Sequence, residues 1–311
     1  MALEFGLGLQ AGPIKGHPER FLGDIVQSLP LLSPAFTSVW MTDHLFWDDD
    51  PTYEAWTTMA FLAAHLPNYQ IGPIVLGQGY RNPALTAKMA ATLQALSGGR
   101  FVLALGAGWK EDEYRGYGYD FPSARVRVEQ LEDTLEIIHR LWTQPGKVTY
   151  HGKHYRIDEA YCEPKPDPLP LILVGGGGEK TMRLAVRFAN IWNLPDCTTA
   201  VYAERLAILH RHCADLGRDP SSLRLSWFGR LAVGQTIDQA QALVDSRWNT
   251  NNAVIGTPDS AVKQIQALAD LGVDHFIFIV MGLPDREIIK MVMDDVLPRI
   301  KLPGLTRSVE L

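Results

Sequence analysis

The sequence predicts an α/β fold, a (β/α)8 (TIM) barrel with one small insertion after its fourth helix, and three observations point there. Short apolar, β-branched runs alternate with segments of helical periodicity along nearly the whole chain. About eight strand-like runs recur, the number that closes a barrel, with an open doubly wound sheet as the competing arrangement. The residues with chemical character fall directly after strands, where a barrel gathers its loops at one mouth.

Taken in order, residues 5–9 alternate large apolar side chains with glycine, as suits a strand approached closely by another group. Phe21, Leu22, Ile25, Val26 and Leu29 then recur at helical spacing over 18–29, and the β-branched run 37–41 is the second strand. Trp56, Met59, Ala60 and Ala63 place a helix over 53–65, followed by a strand over 69–76. Pro83 suits the first position of a helix carrying Leu85, Met89, Leu93 and Leu96, which Gly98 and Gly99 stop. A fourth strand, 100–105, leads to a long helix over 123–142 with Val128, Leu131, Leu135, Ile138 and Trp142 on one stripe.

From 143 to 170 the alternation breaks, and 148–150 with 155–157 read as a hairpin within an insertion, a lid or an edge feature. It resumes with strands at 170–174, 190–194, 223–233 and 275–280. Helices at 179–188, 200–216, 238–247, 258–271 and 284–296 accompany them. Neither a linker nor low complexity divides residues 1–311, so the expectation is a single domain.

Composition narrows the function classes. With 29 Lys and Arg against 35 Asp and Glu, a net charge of −6 without basic runs, the chain lacks a nucleic-acid footprint. Cys162, Cys197 and Cys213 form no Cys-x-x-Cys pair and leave an odd number, which fits a reducing cytoplasm better than a disulfide framework. No run approaches the ~20 apolar residues of a membrane span and the N-terminus lacks a leader pattern, so a soluble cytoplasmic protein is expected.

The chemistry concentrates in Thr42-Asp43-His44, at the end of the second strand. His44 is the side chain best suited to give or take a proton near neutrality, with Asp43 placed to bind a polar ligand edge or tune the site. The bland alternative is a histidine satisfied by a nearby carbonyl. Asp48, Asp49 and Asp50 invite a metal with His44, but adjacent loop aspartates more often cap the helix that follows, so no metal is expected. Gly175-Gly176-Gly177-Gly178 precedes a helix, where free N–H groups and the positive helix end make an anion cradle. Gly106-Ala107-Gly108 is a weaker signal that a tight turn also explains. Neither run completes Gly-x-Gly-x-x-Gly, since the sixth positions are Glu111 and Lys180. Trp47, Trp109 and Trp192 fall near strand ends; core packing explains most tryptophans, but Trp47 and Trp109 sit in loops and suit walls for a flat ligand.

Several segments together resemble the bacterial-luciferase-like superfamily and, within it, the flavin- and deazaflavin-dependent oxidoreductases. They are Ser38 to His44, Arg81 to Leu85, Leu96 to Arg100, Leu105 to Trp109, Gly116-Tyr117 with Phe121-Pro122, Val174 to Glu179, and Gly272 to Phe276. The resemblance implies a barrel holding coenzyme F420, or alternatively reduced FMN, in its mouth. It places a cis peptide at Ile74-Val75 against the ring, Asp43 beside it, and the cofactor phosphate near Ala107, Gly108 and Gly175 to Gly178. The Thr-Asp-His and Gly-Gly-Gly-Gly-Glu pattern is similar to the deazaflavin branch, in which the histidine matching His44 acts in proton transfer. Where sugar-phosphate dehydrogenases of that branch carry an acidic residue, this chain has Trp109, which argues against a sugar phosphate.

The expectation is hydride transfer between F420 and a small organic substrate near Trp47 and Trp109, with the cofactor carrying the redox chemistry. A reduced-FMN monooxygenase, served by a partner reductase, is the alternative. A metal-dependent barrel hydrolase lacks a second clustered histidine, and a non-catalytic cofactor-binding protein is the remaining class. Homo-oligomerisation is expected only by family analogy.

Overall fold

The computed structural model describes residues 2–13, 16–244 and 252–302. The strands and helices alternate as β1 (Glu4–Leu9), α1 (Arg20–Leu32), β2 (Phe36–Met41), α2 (Ala55–His65), β3 (Gln70–Pro73), β4 (Leu76–Gly77), α3 (Pro83–Leu96) and β5 (Val102–Gly106). Then come α4 (Glu111–Gly116), α5 (Ala124–Thr143), the hairpin strands β6 (Lys147–His151) and β7 (Arg156–Tyr161), β8 (Leu171–Gly175), α6 (Glu179–Phe188), β9 (Ile191–Pro195) and α7 (Thr199–Leu216). The last part holds β10 (Arg224–Val233), α8 (Ile237–Ala242), β11 (Val254–Gly256), α9 (Pro258–Ala269), β12 (His275–Val280) and α10 (Arg286–Lys290).

The main sheet runs β3-β2-β1-β12-β10-β9-β8-β5-β4, with β11 on β10, and its pairings are parallel. A parallel bridge from Ile71 to Phe101 joins β3 to β5, so β3 and β4 act as two pieces of one barrel stave and the sheet closes on itself. This is the expected barrel. The single strand expected over 69–76 is interrupted at Ile74-Val75, whose peptide bond is cis as expected.

Alternation along the strands sorts side chains into two layers. Val39, Leu103 and Leu105 join the core between strands and helices, whereas Trp40, Val102, Ala104 and Ile279 fill the barrel interior. Gly6 shows why glycine interrupts β1: a Cβ there would lie 2.4 Å from the Trp40 indole nitrogen. Burying an indole of this size contributes roughly 4 to 6 kcal/mol by transfer area, so the missing side chain at Gly6 is offset by its neighbour.

Local chemistry explains the helix ends. Asn82 caps α3 by accepting from Ala84 N and Leu85 N, Pro83 follows at the first position, and Gly98 and Gly99 leave the helix at φ +67° and +86°. The cap expected from Asp48 to Asp50 is corrected: Glu54 caps α2, accepting from Trp56 N and Thr57 N, because it stands immediately before the first turn. The short elements α4 and β11 were not anticipated, being too brief to show periodicity. The helix expected over 284–296 is α10 followed by a wider helical turn, Met291–Val296. Of the helix expected over 238–247, residues 245–247 lie outside the described residues.

The hairpin forms as expected and rests on α5 through buried Asp133, which accepts from Tyr150 Oη and from the backbone N–H groups of His154 and Tyr155. Gly152 is required there, since a Cβ would lie 2.2 Å from the Asp133 carboxylate. Among the described residues, no helix is long and apolar enough to cross a membrane.

Candidate active site

A cavity of about 760 Å³ opens at the C-terminal ends of the strands. Its floor is the interruption between β3 and β4. Val75 projects between the ends of β5 and β8, and a Cβ on Gly106 or Gly175 would lie 2.7 or 2.9 Å from its methyl groups. The two glycines therefore make room for the valine. Ile74, Val75, Ala107, Gly108, Gly175 and Gly176 all line the cavity.

The wall beyond β2 is a charged corner in which every buried carboxylate is partnered. Asp43, 6% exposed, accepts from Gly77 N and from both terminal nitrogens of Arg81, each at 2.9 Å. Arg81 also reaches Glu54 at 2.5 Å. Burial alone disfavours its charge, but Asp43 and Glu54 outweigh that and hold the guanidinium above its ordinary range. Asp43 thus ties the loop after β2 to the segment after β4.

His44 meets a carboxylate that sequence reasoning did not find. Glu113 of α4 is 1% exposed, and its two oxygens lie 3.0 and 3.2 Å from His44 Nδ1. The same carboxylate accepts from Leu45 N, Phe46 N and Tyr80 Oη at 3.2, 3.4 and 2.9 Å. A carboxylate facing these donors requires the proton on Nδ1. Among the described residues Nε2 makes no hydrogen bond, so it is the nitrogen left for a ligand, and His44 lines the cavity. Burial first, and then the bond to Glu113, raise the Tyr80 phenol well above its ordinary range, keeping it a donor.

Trp47 and Trp109 flank the His44 ring. Their centroids lie 4.7 and 5.9 Å from it, at 83° and 85°, and 6.0 Å from one another. Trp192, the third tryptophan near a strand end, is instead core: it is fully buried, packs on Tyr202 and donates to Gly176 O.

The glycine runs divide between lining and packing. Gly108 has φ +80°, and a Cβ there would lie 2.1 Å from the Tyr114 hydroxyl, which burial pushes up to about 12. Gly175 and Gly176 face the cavity; Gly177 and Gly178 do not line it. A Cβ on Gly177 would lie 2.8 Å from Leu194, and Gly178 is the N-cap of α6 without a side-chain cap. The far wall holds a pair the sequence did not single out: Asp196, at φ +42°, and Arg230, 3.8 Å apart. Burial raises the Asp196 carboxyl and lowers the Arg230 guanidinium. Among the described residues no cluster of three or more His, Cys, Asp or Glu is arranged to hold a metal.

The cavity fits a flat, phosphate-bearing cofactor. Its volume lies within the range of small-molecule sites, its floor is apolar, and at one edge glycine backbone meets the uncapped start of α6.

Comparison with known proteins points the same way. The luciferase-like monooxygenase family matches residues 33–252. An F420-dependent glucose-6-phosphate dehydrogenase of Amycolatopsis mediterranei is 26% identical, covering 86% of this chain and 91% of its own. A phthiodiolone/phenolphthiodiolone dimycocerosates ketoreductase of Mycobacterium kansasii is 33% identical over 63% of this chain, which spans about half (54%) of that protein. Among solved structures, an F420-dependent secondary alcohol dehydrogenase superposes with a TM-score of 0.82 at 20% identity, covering 97% of this chain and 100% of its own.

Proposed function

The chain belongs to the luciferase-like monooxygenase family, and from that premise we propose that it is an F420-dependent oxidoreductase acting on a small organic substrate, with His44 moving the proton. The single observation that carries this is the His44–Glu113 pair at the wall of a cavity floored by Val75. F420-dependent relatives support the choice of cofactor.

Coenzyme F420, when bound, accepts or donates a hydride, and the protein supplies position and charge. Val75, Ala107, Gly108, Gly175 and Gly176 would hold its ring and near end, and the backbone N–H groups starting α6 would meet its phosphate. Glu113 fixes Nδ1–H of His44, so Nε2 takes a proton from a substrate hydroxyl in one direction and returns it in the other. The imidazolium formed stands against a carboxylate that is already buried and oriented, which stabilises it without rearrangement. Asp43 keeps the corner rigid through Arg81 rather than leaving its charge loose in the cavity.

The test is titration of the purified protein with F420 and with FMN, followed by cofactor fluorescence. Tight binding of F420 with weak or no binding of FMN is expected. Preference for FMN would overturn the assignment in favour of the monooxygenase alternative, and failure of both would remove the flavin-type reading altogether.

A further inference from the structure

We propose that His44, Trp47 and Trp109 form a slot selecting an uncharged, largely apolar substrate, an aromatic or alicyclic alcohol or its carbonyl counterpart. This rests on the oxidoreductase reading and deepens it by naming the substrate class.

Trp109 is 66% exposed, although it stands at the mouth against Trp47 and the edge of His44. Two indoles at 60° and an imidazole nearly perpendicular to both make a corner around His44 Nε2. Apolar surface left to water in this way is recovered when a hydrocarbon body lies on it.

The charges around the corner are committed elsewhere. Lys110 Nζ lies 2.5 Å from Asp112 and over the Phe46 and Trp47 rings at 4.8 and 5.2 Å. Arg81 is spent on Asp43 and Glu54, and Arg230 on the far wall faces Asp196. Glu113, whose partners are an imidazole, two backbone N–H groups and a phenol, leaves negative charge behind the corner. A phosphate or carboxylate entering the slot would lose water and, among the described residues, find no uncommitted cation, whereas one hydroxyl or carbonyl finds Nε2.

The probes are 1-phenylethanol and mandelate, which differ in carrying a methyl or a carboxylate beside the same hydroxyl. Calorimetric titration of the protein, with and without F420, should show 1-phenylethanol binding at least about tenfold tighter than mandelate. Trp109→Ala should weaken 1-phenylethanol by about ten- to a hundredfold, and Trp109→Phe should restore most of it. Since Trp109 is exposed, neither variant should unfold the chain. With F420 loaded, KM for 1-phenylethanol should rise more than kcat falls, while F420 affinity stays unchanged. Equal or tighter binding of mandelate, or an unaltered affinity in Trp109→Ala, would overturn the slot. If F420 fails to bind but the cofactor-free protein still discriminates the probes through Trp109, the cofactor assignment falls and the slot stands.

Discussion

His44 and His275 both belong to strands or strand ends of one barrel, and their surroundings part them. His275 begins β12, is 3% exposed, and among the described residues hydrogen-bonds only the Ser226 hydroxyl, at 3.0 Å, beside the Trp40 ring. Burial, with Arg224 adding to it, pushes its pKa down to about 3, so it stands neutral in the interior. His44 follows β2, keeps its side chain 14% exposed at the cavity, and has a buried carboxylate on Nδ1. A histidine becomes useful for moving protons when a counter-charge can receive its cation and its second nitrogen faces a ligand. One without either is a packing residue with a hydrogen bond.

Removing each imidazole in turn separates the two roles. His44→Ala should lower kcat by roughly 10²- to 10⁴-fold, the usual contribution of a general acid or base, with a much smaller change in cofactor affinity. His275→Gln should leave kcat within a fewfold of the parent. Steady-state rates combined with cofactor titration read both; equal loss of turnover and cofactor affinity in His44→Ala would make His44 a binding residue.

Glu113→Gln tests whether the carboxylate matters as charge. An amide can still accept from Nδ1 but offers no counter-charge, and its NH₂ must face Leu45 N, Phe46 N or the Tyr80 hydroxyl. A loss of kcat of about ten- to a hundredfold is expected, with a stability cost of about 1 to 3 kcal/mol. Nitrogen-15 shifts of His44 distinguish positioning from packing: the parent should show protonated Nδ1, and the variant a mixture of tautomers. An unchanged tautomer with unchanged kcat would remove Glu113 from the mechanism.

His275 makes its own prediction in pH. Its folded pKa of about 3 lies below the ordinary histidine value of 6.5, so between those values the unfolded chain binds the extra proton. Its contribution to stability is complete above about pH 6.5 and is lost as pH falls towards 3. Denaturant unfolding of His275→Gln, measured against the parent from pH 7 to 4, should show a shallower fall, by on the order of a few kcal/mol across the window. Parallel curves would mean that His275 is not the residue sensing acid.

Much of the barrel is legible in sequence because alternation and helical periodicity are local, and so are Asn82-Pro83 and Gly98-Gly99. Asp43-His44 stands out because the strand before it ends abruptly in polar residues. Its partners do not: Arg81 and Glu113 lie 38 and 69 residues away, and only chain closure brings them in. Glu113 is further hidden in Glu111-Asp112-Glu113, where nothing marks which acid is buried. One signal was present. Arg115 answers Glu111 and Lys110 answers Asp112, whereas the residues four before and after Glu113 are Trp109 and Tyr117. An acid flanked at four residues by aromatics, with each nearby cation answering another acid, is a candidate for burial. Within the glycine run the sequence does not show which residues face the cavity: Gly175 and Gly176 line it, whereas a Cβ on Gly177 would meet Leu194.

The smallest effect expected is at Tyr80. His275 has one neutral partner, whereas the carboxylate behind His44 collects donors from a ring nitrogen, two backbone N–H groups and a phenol. Removing the phenol with Tyr80→Phe leaves the other three in place and the ring volume unchanged. A hydrogen bond to a charged group contributes about 1.5 to 3 kcal/mol when nothing replaces it. Here the remaining donors redistribute over the same two oxygens, so the loss should sit at or below the low end of that range. kcat should fall by less than about tenfold, with KM nearly constant, because Tyr80 acts only through Glu113 on the orientation of His44. If Tyr80→Phe matched His44→Ala in kcat, the phenol would have to transfer the proton itself. The His44–Glu113 pair would then be its support.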